Sequence, residues 1–171
     1  MDEPVGIAVA EDGTSYVADT WNQRVQVFDR QHTFTHLWEV DSWYGQSLEN
    51  KPYLALDPMG RVYVTDPEGY RILVFDGQGQ FLASLGKYGA EDDSFMLPTG
   101  IAVDDRAQPA TVYVADAGNH RIQAFTSEGT FLRQWGSWGE EPGQFYWPLG
   151  IAVDGSGIVY VTDSGSIQEL A

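Results

Sequence analysis

The chain repeats one four-residue phrase, Tyr-Val-(Ala or Thr)-Asp, at nearly constant intervals. The phrase begins at Tyr16, Tyr63, Tyr113 and Tyr160, so the intervals are 47, 50 and 47 residues. Self-similarity at a fixed period of roughly 20–50 residues is the signature of a repeat architecture. Residues that recur in every repeat are expected to be structural, so candidate functional residues are those that differ between repeats.

Each repeat contains the pattern of four β-strands. A proline opens the unit and a short apolar strand follows, as in Gly100–Asp104, before a turn rich in Gly and Asp. After the Tyr-Val-x-Asp strand come two alternating segments, such as Arg71–Phe75 and Phe81–Leu85, which are typical of half-buried strands. No long window has helical periodicity. Four strands per repeat predict an all-β fold, a β-propeller of four-stranded antiparallel blades.

The repeat boundaries leave the last blade incomplete. We divide residues 1–171, a single propeller segment, into repeats 4–51, 52–97, 98–147 and 148–171. Propellers have typically about 4–8 blades, whereas this chain holds about three and a half. It is therefore predicted to be a partial propeller, with three alternatives for closure. Further blades of a longer chain complete the arc, two or more copies assemble into a ring, or four blades close alone.

The motif order resembles that of the NHL repeat. Pro-x-Gly-Ile-Ala-Val-Asp is followed by Tyr-Val-(Ala/Thr)-Asp and Asn-x-Arg-(Ile/Val)-Gln-x-Phe, most clearly in Pro4–Phe28 and Pro98–Phe125. The resemblance implies a β-propeller, commonly six-bladed, that serves in interaction or sensing, although some proteins of the wider propeller group are enzymes. Repeat 2 departs from the pattern because Pro52–Asp57 lacks the glycine, and repeat 4 lacks the Asn-x-Arg segment.

The charge of the chain restricts its partners. Nine Lys and Arg residues stand against 25 Asp and Glu, a net charge of −16. Such a chain repels polyanions, so we expect no nucleic-acid partner. No apolar run approaches the roughly 18 residues of a membrane span, so we expect a soluble domain without direct membrane insertion. Protein, peptide or glycan ligands remain compatible with this charge. The compartment is undetermined, with an extracytoplasmic one favoured if the chain belongs to a longer exported or membrane-anchored protein.

Aspartate and arginine recur five residues apart at the turn between the two hairpins of a repeat. One interpretation is a ring of charges around a site. The other, which recurrence favours, is that each aspartate caps turn N–H groups while each arginine binds a carboxylate or carbonyls. The pairs are Asp19 and Arg24, Asp66 and Arg71, and Asp116 and Arg121, and Asp163 lacks its arginine.

The sequence names no catalytic residue, metal ligand or cofactor. The turn aspartates lack the pattern of a calcium loop, the histidines are too scattered for a zinc centre, and there is no nucleophile elbow or P-loop. Without cysteine, disulfides and thiolate sites are excluded. A propeller hydrolase or lyase with a metal in the central channel stays as an alternative. The residues considered are Asp12, Asp57, Asp104, Asp154, His32, His36 and His120.

Aromatic residues concentrate in the loops that vary between repeats. Loops between hairpins and loops between blades emerge on one face of a propeller, where aromatic rings beside carboxylates can stack on sugars or clamp cationic groups. We predict a non-catalytic interaction module that uses this face. A structural module of a larger protein is the alternative if the rings are buried. Phe95 and Phe145 are expected to pack between blades. The predicted ligand-binding residues are Trp21, Trp43, Tyr44, Tyr70, Tyr88, His120 and Trp138.

Overall fold

Among the residues that the structure describes, fifteen β-strands form four antiparallel sheets, one for each repeat. The computed structural model describes residues 1–2, 4–43, 51–164 and 166–170, the last five through their backbone alone. Within each sheet every strand pairs with its neighbours in sequence. The other regular elements of these described residues are three single turns of 3-10 helix. No helix in that part of the chain is long and apolar enough to cross a membrane.

The strand bounds follow the predicted motifs. Blade 1 consists of β1 Pro4–Val9, β2 Ser15–Asp19, β3 Arg24–Phe28 and β4 Phe34–Glu39. Blade 2 consists of β5 Leu54–Leu56, β6 Val62–Asp66, β7 Arg71–Phe75 and β8 Phe81–Leu85. Blade 3 consists of β9 Pro98–Asp104, β10 Thr111–Asp116, β11 Arg121–Thr126 and β12 Phe131–Trp135. Blade 4 consists of β13 Pro148–Val153, β14 Val159–Asp163 and β15 Ser166–Leu170.

Successive blades pack face to face around their first strands. Strand β1 contacts β5, β5 contacts β9, and β9 contacts β13. We call the face toward the preceding blade the leading face and the opposite one the trailing face. Tyr63 and Ile72 of blade 2 pack in one apolar cluster with Ile101 and Phe125 of blade 3, because alternate residues of a strand point to opposite faces. The predicted β-propeller architecture is confirmed.

The motif glycine lies at a β-bulge of the first strand. The first strands of blades 1, 3 and 4 shift register against their second strands. A Cβ added to Gly100 would lie 2.4 Å from the carbonyl oxygen of Leu149 on the neighbouring first strand. Repeat 2 lacks this glycine, and the pairing of Leu54–Leu56 with β6 is regular. Its departure from the motif thus removes a bulge rather than a blade.

The turn aspartates hold the loops between first and second strands. The carboxylate of Asp154 accepts the backbone N–H groups of Ser156, Gly157 and Ile158 at 2.8, 2.8 and 3.0 Å. The Ser156 hydroxyl and these N–H groups lower the pKa of Asp154 to about 2. Asp57 similarly accepts turn N–H groups. These are Asx turns, in which aspartate satisfies backbone donors.

We expect Gly100→Ala to destabilise the fold by about 1–3 kcal/mol, because the new methyl group overlaps backbone atoms of blade 4. Urea unfolding followed by fluorescence measures the change. Gly155→Ala is the matched control, since its Cβ would meet no atom within 4 Å. Equal stabilities of the two variants would contradict the close approach of the first strands.

We expect the Asp154 carboxylate to titrate at a pKa of about 2, below the ordinary value of 3.8. A carboxylate whose folded pKa is lowered stabilises the fold above its unfolded pKa, and this contribution is lost as pH falls through the folded value. The loss should therefore occur between about pH 4 and pH 2. Carboxyl-carbon NMR measures the midpoint, and Asp154→Asn, which does not titrate, identifies the signal. A midpoint at the ordinary value would contradict the turn geometry.

Candidate functional site

The hairpin loops and the blade-joining linkers share one edge of the molecule, which we call the loop face. In an antiparallel sheet the ends of the second and fourth strands lie at the same edge. The loop face therefore comprises hairpin loops 20–23, 67–70 and 117–120 and linkers 86–97 and 136–147. Direct bonds join the two kinds of loop, since Asn119 Nδ2 donates to the Gly89 carbonyl at 2.8 Å.

Linker 86–97 is a closed loop with one aromatic ring buried and another exposed. The N–H of Phe95 donates to the Lys87 carbonyl at 2.7 Å, and the N–H of Gly89 donates to the Phe95 carbonyl at 3.1 Å. Phe95 is fully buried and its ring lies 5.7 Å from that of Phe125. The predicted packing of Phe95 between blades is confirmed. Tyr88 stands at the other side of the closed loop and is 63% exposed.

Linker 136–147 repeats this geometry at the next blade boundary. The N–H of Phe145 donates to the Ser137 carbonyl at 2.9 Å, and Phe145 is fully buried, as predicted. Trp138, at the position of Tyr88, is 66% exposed. Gly136 has a φ of 107°, and a Cβ there would lie 2.7 Å from the Phe145 ring. The glycine therefore permits the turn that separates the buried ring from the exposed one.

The residue before the motif arginine adds a second aromatic ring at each boundary. Tyr70 and His120 both have the left-handed φ of 56°. The Tyr70 ring lies 4.8 Å from the Tyr88 ring at an interplanar angle of 65°. The His120 ring lies 6.4 Å from that of Trp147, and its Nδ1 lies 2.7 Å from the Tyr146 carbonyl oxygen. The structure thus brings together two pairs, Tyr70 with Tyr88 and His120 with Trp147.

The remaining predicted residues divide into exposed, buried and undescribed. Trp21 is 53% exposed, but Trp43 is only 1% exposed, so the expectation of an exposed Trp43 is wrong. The 3-10 turn Asp41–Trp43 directs this ring into the cluster between blades 1 and 2. Tyr44 lies outside the described residues. Tyr146, which the sequence analysis did not select, is 55% exposed. Its place after the motif residue Phe145 was the available signal.

Carboxylates surround the exposed rings. Glu91, Asp92 and Glu140 are exposed at the linker tips. Burial raises the pKa of Asp93, and the nearby charge of Lys87 opposes that shift. Among the described residues, no three His, Asp or Glu side chains form a group able to hold a metal ion. The loop face therefore presents aromatic rings in a negative field, which suits cationic or uncharged polar ligands.

A buried ion pair in blade 3 holds the first of these linkers. Asp116 is fully buried. It accepts Arg121 Nε and Asn119 Nδ2, both at 2.8 Å, Gln123 Nε2 at 3.1 Å and the N–H of Met96 at 2.7 Å. Burial raises the pKa of Asp116, while the hydrogen bonds from Met96, Asn119 and Arg121 lower it. We call Asp116, Asn119, Arg121 and Gln123 the blade 3 anchor.

The donors of the blade 3 anchor bind the carbonyl groups of linker 86–97. Arg121 Nη1 donates to Ala90, and Nη2 donates to both Glu91 and Ser94, all at 2.8 Å. Gln123 Nε2 also donates to Ser94, at 2.7 Å. These bonds satisfy backbone acceptors that a buried loop would otherwise leave unpaired. The anchor therefore positions the linker that carries Tyr88.

Asp19 and Asp116 do not have the predicted role of capping the turn that follows them. Neither Asp19 nor Asp116 makes a side-chain bond that caps the following 3-10 turn. Each instead accepts an N–H group from the segment entering its own blade, Asp2 for Asp19 and Met96 for Asp116. Asp163 likewise accepts the N–H of Tyr146 at 2.9 Å. For Asp19 and Asp116 the predicted capping role is wrong, because these buried carboxylates meet the incoming backbone rather than their own turn. The equivalent ion pairs of blades 1 and 2, Arg24–Asp19 and Arg71–Asp66, measure 2.7 and 2.9 Å.

We expect Asp116→Ala to destabilise the fold by about 3–5 kcal/mol, because it leaves the buried Arg121 charge without its partner. Asp19→Ala is the comparison, since the side chain of Arg24 is 31% exposed and that of Arg121 only 8%. Its cost should be smaller because water solvates Arg24. Chemical denaturation measures both, and a larger loss for Asp19→Ala would contradict the role of burial.

Comparison with known proteins supports the repeat and the fold. The family model described as NHL repeat matches residues 1–28, which include strands β1 to β3 of blade 1. The resemblance found in the sequence is confirmed there. No curated protein matches the chain.

Several solved structures share the fold. Virginiamycin B lyase from Staphylococcus aureus matches with a TM-score of 0.64 at 16% identity, over 98% of this chain and 55% of that one. An auxiliary nutrient binding protein from Bacteroides ovatus matches with a TM-score of 0.72 at 16% identity, over 98% of this chain and 48% of that one. A protein of unknown function from Bacteroides thetaiotaomicron matches with a TM-score of 0.76 at 15% identity, over 98% of this chain and 47% of that one. The chain spans about half the length of these structures. At these identities the likeness concerns the fold alone. The comparisons therefore show an NHL repeat match at residues 1–28 and a β-propeller fold throughout the described blades.

Proposed function

We propose that this propeller segment is a non-catalytic binding module whose loop face binds a protein, peptide or glycan. The observation that carries the proposal is the equivalence of Tyr88 and Trp138. They occupy one position in successive linkers and are 63% and 66% exposed, whereas Phe95 and Phe145 of the same loops are fully buried. A large ring kept in solvent at a repeated position has no role in packing the blades.

The backbone of the linkers supports a binding role. Both loops are closed by paired hydrogen bonds around a buried phenylalanine, so the exposed rings are held before a ligand arrives. Preorganised contacts lose less conformational freedom on binding. Tyr70 against Tyr88 enlarges one contact area, and the exposed Glu91 and Glu140 add negative charge to the two linkers. This combination suits sugar rings or peptides that carry Lys or Arg.

The fold by itself does not select between binding and catalysis. Structures of similar fold include a lyase and a nutrient binding protein, and neither activity transfers at 16% identity. The described residues contain no group of metal-binding side chains that would favour a hydrolase or lyase centre. The exposed rings favour the binding module.

We expect Tyr88→Ala combined with Trp138→Ala to weaken ligand binding by about tenfold or more. Each aromatic contact contributes about 0.5–1.5 kcal/mol beyond area burial, and about 1.4 kcal/mol corresponds to tenfold. The probes are a glycan array and an array of synthetic peptides rich in Lys and Arg, each incubated with the labelled chain. Titration of the best probe then gives Kd for both proteins.

The matched control removes exposed apolar side chains away from the loop face. Met59→Ala combined with Leu132→Ala truncates residues that are 79% and 49% exposed, and we expect its Kd and melting temperature to stay near those of the unmodified chain. Equal binding by the Tyr88/Trp138 variant would contradict the proposed face. So would a large fall in that variant's melting temperature, because it would make the two rings structural.

A further inference from the structure

His120 lies on the loop face at the boundary of blades 3 and 4, and one hydrogen bond defines its protonation. Its Nδ1 lies 2.7 Å from the carbonyl oxygen of Tyr146. A carbonyl oxygen only accepts, so Nδ1 carries a proton in this bond. A neutral imidazole has a single N–H group, so Nε2 of the neutral ring is an acceptor. Among the residues that the structure describes, no group bonds to Nε2, and His120 is half-buried.

The surroundings of His120 hold its ring in one orientation. Tyr70, which has the equivalent position at the preceding boundary, contacts the exposed ring of Tyr88. The His120 ring instead contacts Trp147, at 6.4 Å and an interplanar angle of 72°. The bond from Nδ1 to the Tyr146 carbonyl fixes the ring beside Trp147. Nε2 is therefore an acceptor that is positioned before a ligand arrives, which lowers the entropy lost on binding.

The charged groups around His120 are mostly negative. Hairpin loop 117–120 and linker 136–147 contain no Lys or Arg, and the linker carries the exposed Glu140 and Glu141. Protonated His120 would be the only cation of these two loops. The charged groups on the neighbouring elements are the paired Asp116 and Arg121, Asp163 on β14, and Lys87, Glu91, Asp92 and Asp93 on linker 86–97.

This negative field selects the class of donor that Nε2 would accept. A glycan hydroxyl can donate to a neutral imidazole, but an uncharged sugar gains no Coulombic attraction from Glu140 and Glu141. Ammonium and guanidinium groups donate N–H to Nε2, are attracted by these carboxylates, and pack on exposed rings such as Trp138. A peptide that carries Lys or Arg therefore uses all three features of this boundary.

We propose that Nε2 of His120 accepts a hydrogen bond from a Lys or Arg side chain of a peptide, and that protonation of the ring releases this peptide. The inference rests on the proposed function, because it names the ligand class and the regulation of the same loop face. Histidine changes its charge between about pH 5 and 8. In the protonated ring Nε2 is a donor, and its positive charge repels the peptide. The bond from Nδ1 persists in both forms, so the fold is retained.

The first measurement needs no ligand. Long-range ¹H–¹⁵N NMR spectra of the unmodified chain at about pH 8 distinguish the two neutral forms of an imidazole. We expect His120 to have a protonated Nδ1 and an unprotonated Nε2, and His120→Asn identifies its signals. A protonated Nε2 at this pH would overturn the proposal, whether or not any ligand binds.

The second measurement compares binding at about pH 8 and about pH 5.5. The probe is N-acetylated tetra-arginine amide, whose charge does not change in this interval, and calorimetry gives its Kd. We expect the Kd to be about tenfold or more higher at the lower pH, because a hydrogen bond to a charged group is lost. His120→Asn should bind about tenfold more weakly at the higher pH, and its Kd should no longer depend on pH.

Asparagine is the appropriate replacement at position 120. His120 has a left-handed φ of 56°, which asparagine adopts more readily than most residues. The Nδ2 of asparagine corresponds to Nδ1 of histidine and can still donate to the Tyr146 carbonyl. The variant therefore removes Nε2 and its titration while it keeps the bond that orders the loop.

His32→Asn is the matched control. His32 is exposed and has a left-handed φ of 61°. It lies in the turn between β3 and β4, at the opposite edge of its blade from the loop face. We expect this variant to bind the probe like the unmodified chain at both pH values. Loss of the pH dependence in His32→Asn would assign the switch to the wrong histidine and overturn the proposal.

The remaining outcomes separate this inference from the proposed function. A Kd that does not depend on pH, an equal Kd for His120→Asn at the higher pH, or no binding of the probe overturns the inference. Glycan binding that requires Tyr88 and Trp138 would then still support the loop face as a binding site. Probe binding that requires His120 but survives the loss of both rings would support the inference and contradict the proposed role of the rings.

Discussion

The buried pair of Asp116 and Arg121 is the interaction on which the rest of the structure depends. Where two sheets pack face to face, the segment between them buries carbonyl groups such as that of Ser94, and buried carbonyl groups are costly when unpaired. Arg121 donates to the carbonyl groups of Ala90, Glu91 and Ser94 in this segment, while Asp116 neutralises the charge of Arg121. Buried charges persist when they are paired and fully hydrogen-bonded. One ion pair therefore orders a linker, joins two blades and fixes the loop above them.

The linkers between packed blades place aromatic side chains on the protein surface. Because Phe95 is held in the core by the loop's own backbone bonds, the chain between it and Gly86 must turn outward, and Tyr88 comes to lie in solvent. The same geometry in linker 136–147 presents Trp138. The spacing of one buried and one exposed ring is thus a property of the repeat, while the identity of the exposed ring varies. Variation at a structurally fixed position is how a repeat protein diversifies its contacts.

The sequence predicted the strands and their order because alternation with period two and Asp/Gly turns are local signals. It predicted the burial of Phe95 and Phe145 because both lie three residues before a repeat proline. It failed at Trp43, where a 3-10 turn directs the ring inward. It also failed at Asp19 and Asp116, which accept a backbone N–H group from the preceding segment rather than from the adjacent turn. Both errors concern contacts between residues of different elements, which composition and spacing do not encode.

The sequence by itself determined the repeat, the all-β class, the four-stranded unit and the net charge of −16, since periodicity and composition are properties of the chain. Only the tertiary structure decided which aromatic rings face solvent and which carbonyls each arginine binds. It also showed that Arg121 of blade 3 binds the carbonyl groups of a linker and is 8% exposed, whereas the equivalent Arg24 of blade 1 is 31% exposed. The physical reason is that Arg24 and Arg121 occupy identical motifs, and their difference arises from what packs against them.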